Sequence, residues 1–262
     1  MLTDQALLRY SRQIMLPGLD VAGQQALAAA RVLVVGLGGL GSACAQYLAG
    51  AGVGQLVLAD GDRVELSNLP RQVLHSEARV GRNKAESAAQ TLAAMNAEVS
   101  LSVLPRRLEP QELPELCRQV DIVVDATDNF ATRCALNQAC IESGRPLVSA
   151  AAIRLEGQLA VFDTARGGPC YRCLYPEPVD DSALRCSENG VLGPVVGVLG
   201  ALQAMETLKW LSGLAPPLDR GLLLVDLGQL EFTRLSLPRR ANCPACATGP
   251  FGGGSARADK EC

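Results

Sequence analysis

Histidine occurs once in these 262 residues, at position 75, and aromatic residues make up only 3% of the chain. A single histidine removes most Ser-His-Asp and histidine-ligated metal schemes, and His75 itself reads as an ordinary surface or loop residue. With so few aromatics, a core must be packed by Leu, Val, Ile and Ala. Excess positive charge is missing too: a formal charge of −3 gives no overall reason to expect nucleic acid or a membrane surface as a partner. Neither a leader nor a membrane span is expected. The opening MLTDQALLRYSRQ places Asp4 and Arg9 before any apolar run could form, and the most apolar later segment, Val195 to Leu211, contains Gln203, Glu206 and Lys209. That segment reads as a buried or interfacial helix, and the expected location is the cytoplasm.

What is present centres on Arg31 to Asp60, RVLVVGLGGLGSACAQYLAGAGVGQLVLAD. Val32 to Val35 suit a strand buried on both faces, and Gly36, Gly38 and Gly41 complete G-x-G-x-x-G directly after it, with Gly39 inside the turn. Gly36 serves the tight turn, Gly38 lets backbone approach a phosphate, and Gly41 lets the next helix pack against the strand. The helix N-terminus offers free N–H groups to an anion. Asp60 ends a second strand, Leu56 to Ala59, where an acid binds ribose hydroxyls. NAD(P), FAD and ATP all remain open at this point.

The order of elements predicts an α/β fold: a Rossmann-like, doubly wound, mostly parallel sheet extended by antiparallel strands. Leu2-Thr3-Asp4 can cap a first helix running to about Gln13 with Leu7 and Leu8 on its apolar side, Pro17-Gly18 breaks it, and a second covers about Asp20 to Ala30. Residues 61–80 read as irregular, followed by a helix over about 81–96. Strands at Leu101–Leu104, Ile122–Val124 and Leu147–Ala151 alternate with helices at 110–118 and 130–143. Gln158–Phe162, Leu222–Val225 and Leu230–Leu235 read as the antiparallel additions. Tyr175 to Gly190 reads as a mobile loop. Residues 1–247 form one unit on this reading, and the Gly-rich 248–262 a disordered tail.

Ten cysteines without a leader argue for metal or reactive thiols rather than disulfides. Cys170-Tyr-Arg-Cys173 and Cys243-Pro-Ala-Cys246 are two C-x-x-C pairs, and four thiolates complete the tetrahedron that Zn²⁺ prefers, leaving no open position: a structural zinc site. The competing reading of each pair is a redox motif. Cys44 reads as core, and Cys134 and Cys140 as helix packing. Lys84 falls in the first turn of its helix, where a cation opposes the dipole unless an anion is near. Asp128 and Asn129 follow a strand at the carboxyl edge of the sheet, where ligands bind; either could instead cap the next helix.

RYSRQ (Arg9 to Gln13), GLGGLG, LAD, SNLPRQ (Ser67 to Gln72), Lys84, DATDN (Asp125 to Asn129), CYRCLYP and CPAC follow one another in an order that resembles the ubiquitin-activating-like adenylyltransferases, the MoeB/ThiF family, from about Leu2 to Cys246. The resemblance implies ATP-dependent adenylylation of a small β-grasp sulfur-carrier protein at its C-terminal Gly-Gly carboxylate. The molybdopterin-synthase carrier is the first expectation, with the thiamine carrier or dual use including tRNA thiolation as alternatives. It implies that Gly39 lies in the nucleotide turn and Asp60 holds the ribose. Ser67, Asn68, Leu69, Pro70 and Arg71 would meet the nucleotide together with Lys84, while Asp128, beside Asn129, binds Mg²⁺ or orients the reactants. Pro70 removes one backbone donor there. Arg12 would reach into the partner's site in a homodimer, and Cys186 would stand where some relatives carry a thiol that bonds the carrier. A sulfurtransferase domain finds no room before the end of the chain, so a separate sulfur donor is expected. An NAD-dependent oxidoreductase shares the glycine turn but leaves Arg71, Lys84, Asp128 and the cysteine pairs unexplained; a zinc-bearing scaffold without activity is the third reading.

Overall fold

The computed structural model describes residues 2–177, 190–247 and 250. Among these residues eight strands form one sheet in the order β3-β2-β1-β4-β5-β6-β7-β8. The strands are β1 (Arg31–Val35), β2 (Gln55–Ala59), β3 (Ser100–Leu104), β4 (Ile122–Asp125), β5 (Leu147–Ile153), β6 (Glu156–Phe162), β7 (Gly221–Asp226) and β8 (Glu231–Ser236). From β3 to β5 every pairing is parallel; β6, β7 and β8 add antiparallel. The predicted doubly wound sheet with its antiparallel extension is therefore present.

Among the described residues the helices are α1 (Asp4–Arg9), α2 (Ser11–Ile14), α3 (Asp20–Ala29), α4 (Gly39–Gly50), α5 (Lys84–Met95), α6 (Leu113–Arg118), α7 (Phe130–Ser143), α8 (Tyr171–Leu174) and α9 (Gly193–Ser212). Alternate residues of β1 serve the two faces. Val32 and Val34 join α4, α5 and α9 in one apolar layer, whereas Leu33 and Val35 join α6, α7 and α8 in the other. The bulkiest fully buried side chains are all Leu and Ile, the packing that a chain poor in aromatics requires. None of the described helices is long and apolar enough to cross a membrane.

Strand order reverses between β1 and β4, and at such a point the loops leaving the two strands diverge and open a crevice. Gly36 and Ala126 sit side by side there: a Cβ on Gly36 would lie 2.7 Å from the Ala126 carbonyl oxygen.

The N-terminal segment departs from expectation. Thr3 does cap α1, its hydroxyl accepting from the Ala6 N–H at 3.1 Å, but the helix stops at Arg9. Tyr10 is buried and takes a non-helical ψ of 10°, its hydroxyl accepting from Asn96 Nδ2 at 2.9 Å, and a separate turn, α2, follows. Burying the ring outweighs continuing the helix. Leu8 is 77% exposed and Leu7 also faces outward, so the inward side of α1 is Ala6, not the leucine pair. Most of the Tyr175 to Gly190 segment and of the 248–262 tail lies outside the described residues.

Candidate active site and cysteine centre

The crevice is a cavity of about 940 Å³ whose walls include Gly36, Gly38 and Gly39, Asp60, Asn68, Arg71, Lys84, Asp128 and Asn129. Residues spread over ninety positions of sequence thus meet in one place. Gly36 takes φ +90°, a conformation that side chains rarely adopt. Gly41 lies beneath the turn rather than on the cavity wall: a Cβ there would stand 1.8 Å from the Gly36 carbonyl oxygen, which is the close helix-to-strand approach expected of it. Ser67, Leu69 and Pro70 are likewise outside the wall, although the Ser67 carbonyl accepts from Arg71 Nη1 at 2.9 Å and so helps aim that guanidinium. Arg12 is exposed on α2, away from the cavity of its own chain, and Cys186 lies outside the described residues.

Asp60 follows β2. Its Oδ2 accepts the Leu37 N–H at 2.7 Å and its Oδ1 the Asp62 N–H at 2.8 Å, so the acid anchors the glycine turn besides facing the cavity. Burial pushes its carboxyl upward, against those two N–H bonds and the nearby Lys84 ammonium.

Lys84 is the first residue of α5 and is buried. Its position against the dipole is compensated by Asp62, 3.3 Å from Nζ. Asp62 is half-exposed and also meets Arg107; burial would raise its carboxyl, but Lys84 and Arg107 together hold it below its usual range. Asn83 caps α5, accepting from the N–H groups of Ala85 and Glu86 and donating from Nδ2 to the Asp60 and Asp62 carbonyls. The cap therefore ties the base of Lys84 to the end of β2.

Asn129 combines the two readings of its segment: its side chain caps α7, accepting from Thr132 N at 2.9 Å, and it lies on the cavity wall beside exposed Asp128. The loop beneath is fixed by residues to which the sequence reading gave no separate role. Buried Asp125 accepts from the Thr127 hydroxyl and the Ser149 hydroxyl, both at 2.7 Å, and Arg133 Nη2 donates to the Thr127 carbonyl at 2.6 Å. Arg106, Arg107 and Arg63 also line the cavity. Arg106 and Arg107 are adjacent in the sequence while Arg63 stands apart in the irregular stretch 61–80, so nothing local marked the three as neighbours.

His75 is the largest correction. It lies in irregular chain, as one half of the reading had it, but is 8% exposed rather than on the surface, and both ring nitrogens are engaged: Nε2 lies 2.9 Å from the Leu37 carbonyl oxygen and Nδ1 2.9 Å from Ser87 Oγ. Sequence offered no periodicity to find it, because residues 61–80 are irregular chain with two short 3-10 turns, Leu66–Asn68 and Glu77–Arg79.

Away from the cleft, Cys170, Cys173, Cys243 and Cys246 are buried with all four sulfur atoms within 4.8 Å of one another. The separations Cys170 to Cys243, Cys173 to Cys246 and Cys173 to Cys170 are 3.5, 3.6 and 3.9 Å. No pair is a disulfide, in which the sulfurs would be about 2.05 Å apart. A tetrahedron with Zn–S bonds of about 2.3 Å has edges near 3.8 Å, so the set fits one zinc ion. The contact with Cys170 Sγ and, after it, the Arg240 N–H that donates to Cys173 Sγ favour the thiolate at Cys173. Cys44 and Cys140 are buried as expected, and Cys134, partly covered, packs from α7 against the core and faces Arg172 Nη1 at 3.8 Å.

Comparison with known proteins agrees with this geometry. The chain is 48% identical over 245 residues to the molybdopterin-synthase adenylyltransferase of Escherichia coli (strain K12), covering 94% of this chain and 98% of that one. It is 50% identical over 251 residues to adenylyltransferase and sulfurtransferase MOCS3 of Sus scrofa, covering 95% of this chain but 55% of that one, so it spans just over half the length of that relative. Among solved structures, Escherichia coli MccB with ATP superposes with a TM-score of 0.80 at 25% identity, over 91% of this chain and 74% of that one. Residues 10–245 match the ThiF family, and with that match running across the cleft and the cysteine centre alike, this chain belongs to the ThiF family.

Proposed function

We propose that this protein uses ATP to adenylylate the C-terminal Gly-Gly carboxylate of a small β-grasp sulfur-carrier protein, releasing pyrophosphate, and that the carrier is the small subunit of molybdopterin synthase. The observation that carries the reading is one cleft that unites a glycine turn, a ribose-type acid and several fixed cations, in a chain similar to a molybdopterin-synthase adenylyltransferase along nearly the whole length of both. A nicotinamide oxidoreductase would use the turn and Asp60 but would have no task for Arg71 and Lys84.

A carboxylate is already ionised at neutral pH, so attack on the α-phosphate needs no general base, and the lack of a free histidine is no obstacle. What the step needs is positive charge fixed where the pyrophosphate leaves. The turn and the N-terminus of α4 receive phosphate through backbone N–H groups, Asp60 takes the ribose hydroxyls, and Asn68, Arg71 and Lys84 face the phosphates. Asp128, an exposed carboxylate on the wall, suits a hard cation; Mg²⁺ held there would neutralise further phosphate charge. Zinc at the four cysteines ties the segment after β6 to the end of the chain and takes no part in the chemistry. We assign Arg12 to the cleft of a second copy in a symmetric homodimer, where exposed Leu8 and Met15 beside it would be covered. Sulfur comes from a separate donor, and Cys186 is retained as the position for a bond to the activated carrier.

The test is to incubate the protein with ATP, Mg²⁺ and either the molybdopterin or the thiamine carrier, and to read the carrier's mass. An added adenylyl group on the first alone is the expected result; on both, the protein is a shared activator; on neither, with ATP bound, the reading fails.

A further inference from the structure

We propose that His75 is a positioning residue that holds Lys84 and Arg71 in register with the nucleotide turn, an inference that rests on the adenylyl-transfer reading above. The Leu37 carbonyl can only accept, so the Nε2 facing it at 2.9 Å carries the hydrogen; Nδ1 then accepts from the Ser87 hydroxyl, also at 2.9 Å. A neutral ring in this one tautomer satisfies both partners. Burial disfavours its charged form, and so do the cations of Lys84 and Arg79.

The three groups joined by this ring belong to three separate parts of the cleft. Leu37 is in the glycine turn, and its N–H is already held by Asp60 at 2.7 Å. Ser87 lies on α5 three residues beyond Lys84, hence on the same side of the helix. His75 itself continues the segment that carries Arg71, its N–H bonding the Gln72 carbonyl at 3.0 Å. Asn83 ties the start of α5 to Asp60, and Thr91 and Arg79 tie α5 to the arginine segment, but among the bonds described the imidazole is the cross-link that touches turn, helix and arginine segment at once. Misplacement of a charge-stabilising group by about 1 Å costs on the order of a hundredfold in rate.

The experiment compares His75→Phe, which puts a flat apolar ring in place of the imidazole and loses both bonds, with His75→Gln, which keeps a donor for the Leu37 carbonyl. ATP binding is measured without carrier, and kcat and KM for ATP are measured with it, each scaled to the folded fraction from thermal unfolding. The Phe variant is expected to bind ATP roughly tenfold more weakly and to lose about a hundredfold in kcat, with Gln within about threefold of the parent protein. A folded Phe variant with unchanged KM and kcat would overturn the proposal. If that variant does not fold, Ser87→Ala removes half of the cross-link with little change in volume, and a kcat equal to the parent's overturns it instead. A parent protein that fails to bind ATP at all would refute the adenylyl-transfer reading rather than this one.

Discussion

The nucleotide cleft and the cysteine centre are held together in opposite ways. The cleft depends on main-chain geometry: a glycine at φ +90°, a helix pressed to within a missing Cβ of the strand, and a loop pinned by a buried acid. Its parts lie on consecutive elements of a parallel sheet, so the fold delivers them together. The cysteine centre depends on four side chains from segments some seventy residues apart, and little regular structure connects its second pair to the sheet. A backbone site tolerates no added atom but survives loss of a distant side chain; a side-chain site is lost with any one ligand. The two should therefore fail separately.

The largest expected effect is on the cysteine side. Cys173→Ser, or zinc removal by a strong chelator, should lower stability by several kcal/mol, since structural zinc sites contribute roughly 10 kcal/mol or more to folding. Metal content and thermal unfolding measure this, and the ATP affinity of the fraction still folded should not change. A parallel fall in affinity would break the comparison.

Next comes Lys84→Ala. Removing a fixed cation aimed at the leaving group should cost at least about a thousandfold in the rate of adenylate formation, near 4 kcal/mol. The protein should stay folded, with its full complement of zinc. Undiminished activity would remove Lys84 from the chemistry.

Gly41→Ala sharpens the contrast from the backbone side. One methyl group 1.8 Å from the Gly36 carbonyl forces the turn open, at an expected cost of about 1–3 kcal/mol. ATP binding should weaken while zinc content holds. Equal affinity in calorimetry would mean that the turn is softer than its packing implies.

The smallest effect is on pH dependence. Burial first, then Lys84 and Arg79, lowers the pKa of His75 below its usual 6.5, partly opposed by the Leu37 carbonyl. The unfolded chain therefore takes up this proton first. Stability should decline as pH falls below about 6.5 and level off once the folded ring is protonated too. In His75→Gln that part of the slope should vanish; denaturant midpoints between pH 7 and pH 5 test it, and identical slopes would count against a buried neutral ring.

Much of this organisation was legible in the sequence because its signals are local. Val32 to Asp60 spells strand, turn, helix, strand and acid in one run, and C-x-x-C spacing shows which residues can share a metal. The antiparallel strands showed as short apolar runs around Asp226 to Gln229. Other features were hidden because they arise only on packing. Tyr10 ends α1 by burying its ring under Asn96, a contact 86 positions away. His75 looked ordinary because nothing adjacent to it in sequence names Leu37 and Ser87 as its partners. Arg133 and Ser149 gain meaning only once β4, β5 and the start of α7 have converged on Asp125.

The central claim is that fixed cations in this cleft drive transfer of an adenylyl group, and exchange of labelled pyrophosphate into ATP tests it most directly. The purified protein, given Mg²⁺ and a carrier ending in Gly-Gly, should catalyse rapid exchange that disappears when the carrier lacks its terminal glycine. Exchange that ignores the carrier's terminus, or no exchange from protein that binds both zinc and ATP, would contradict the account.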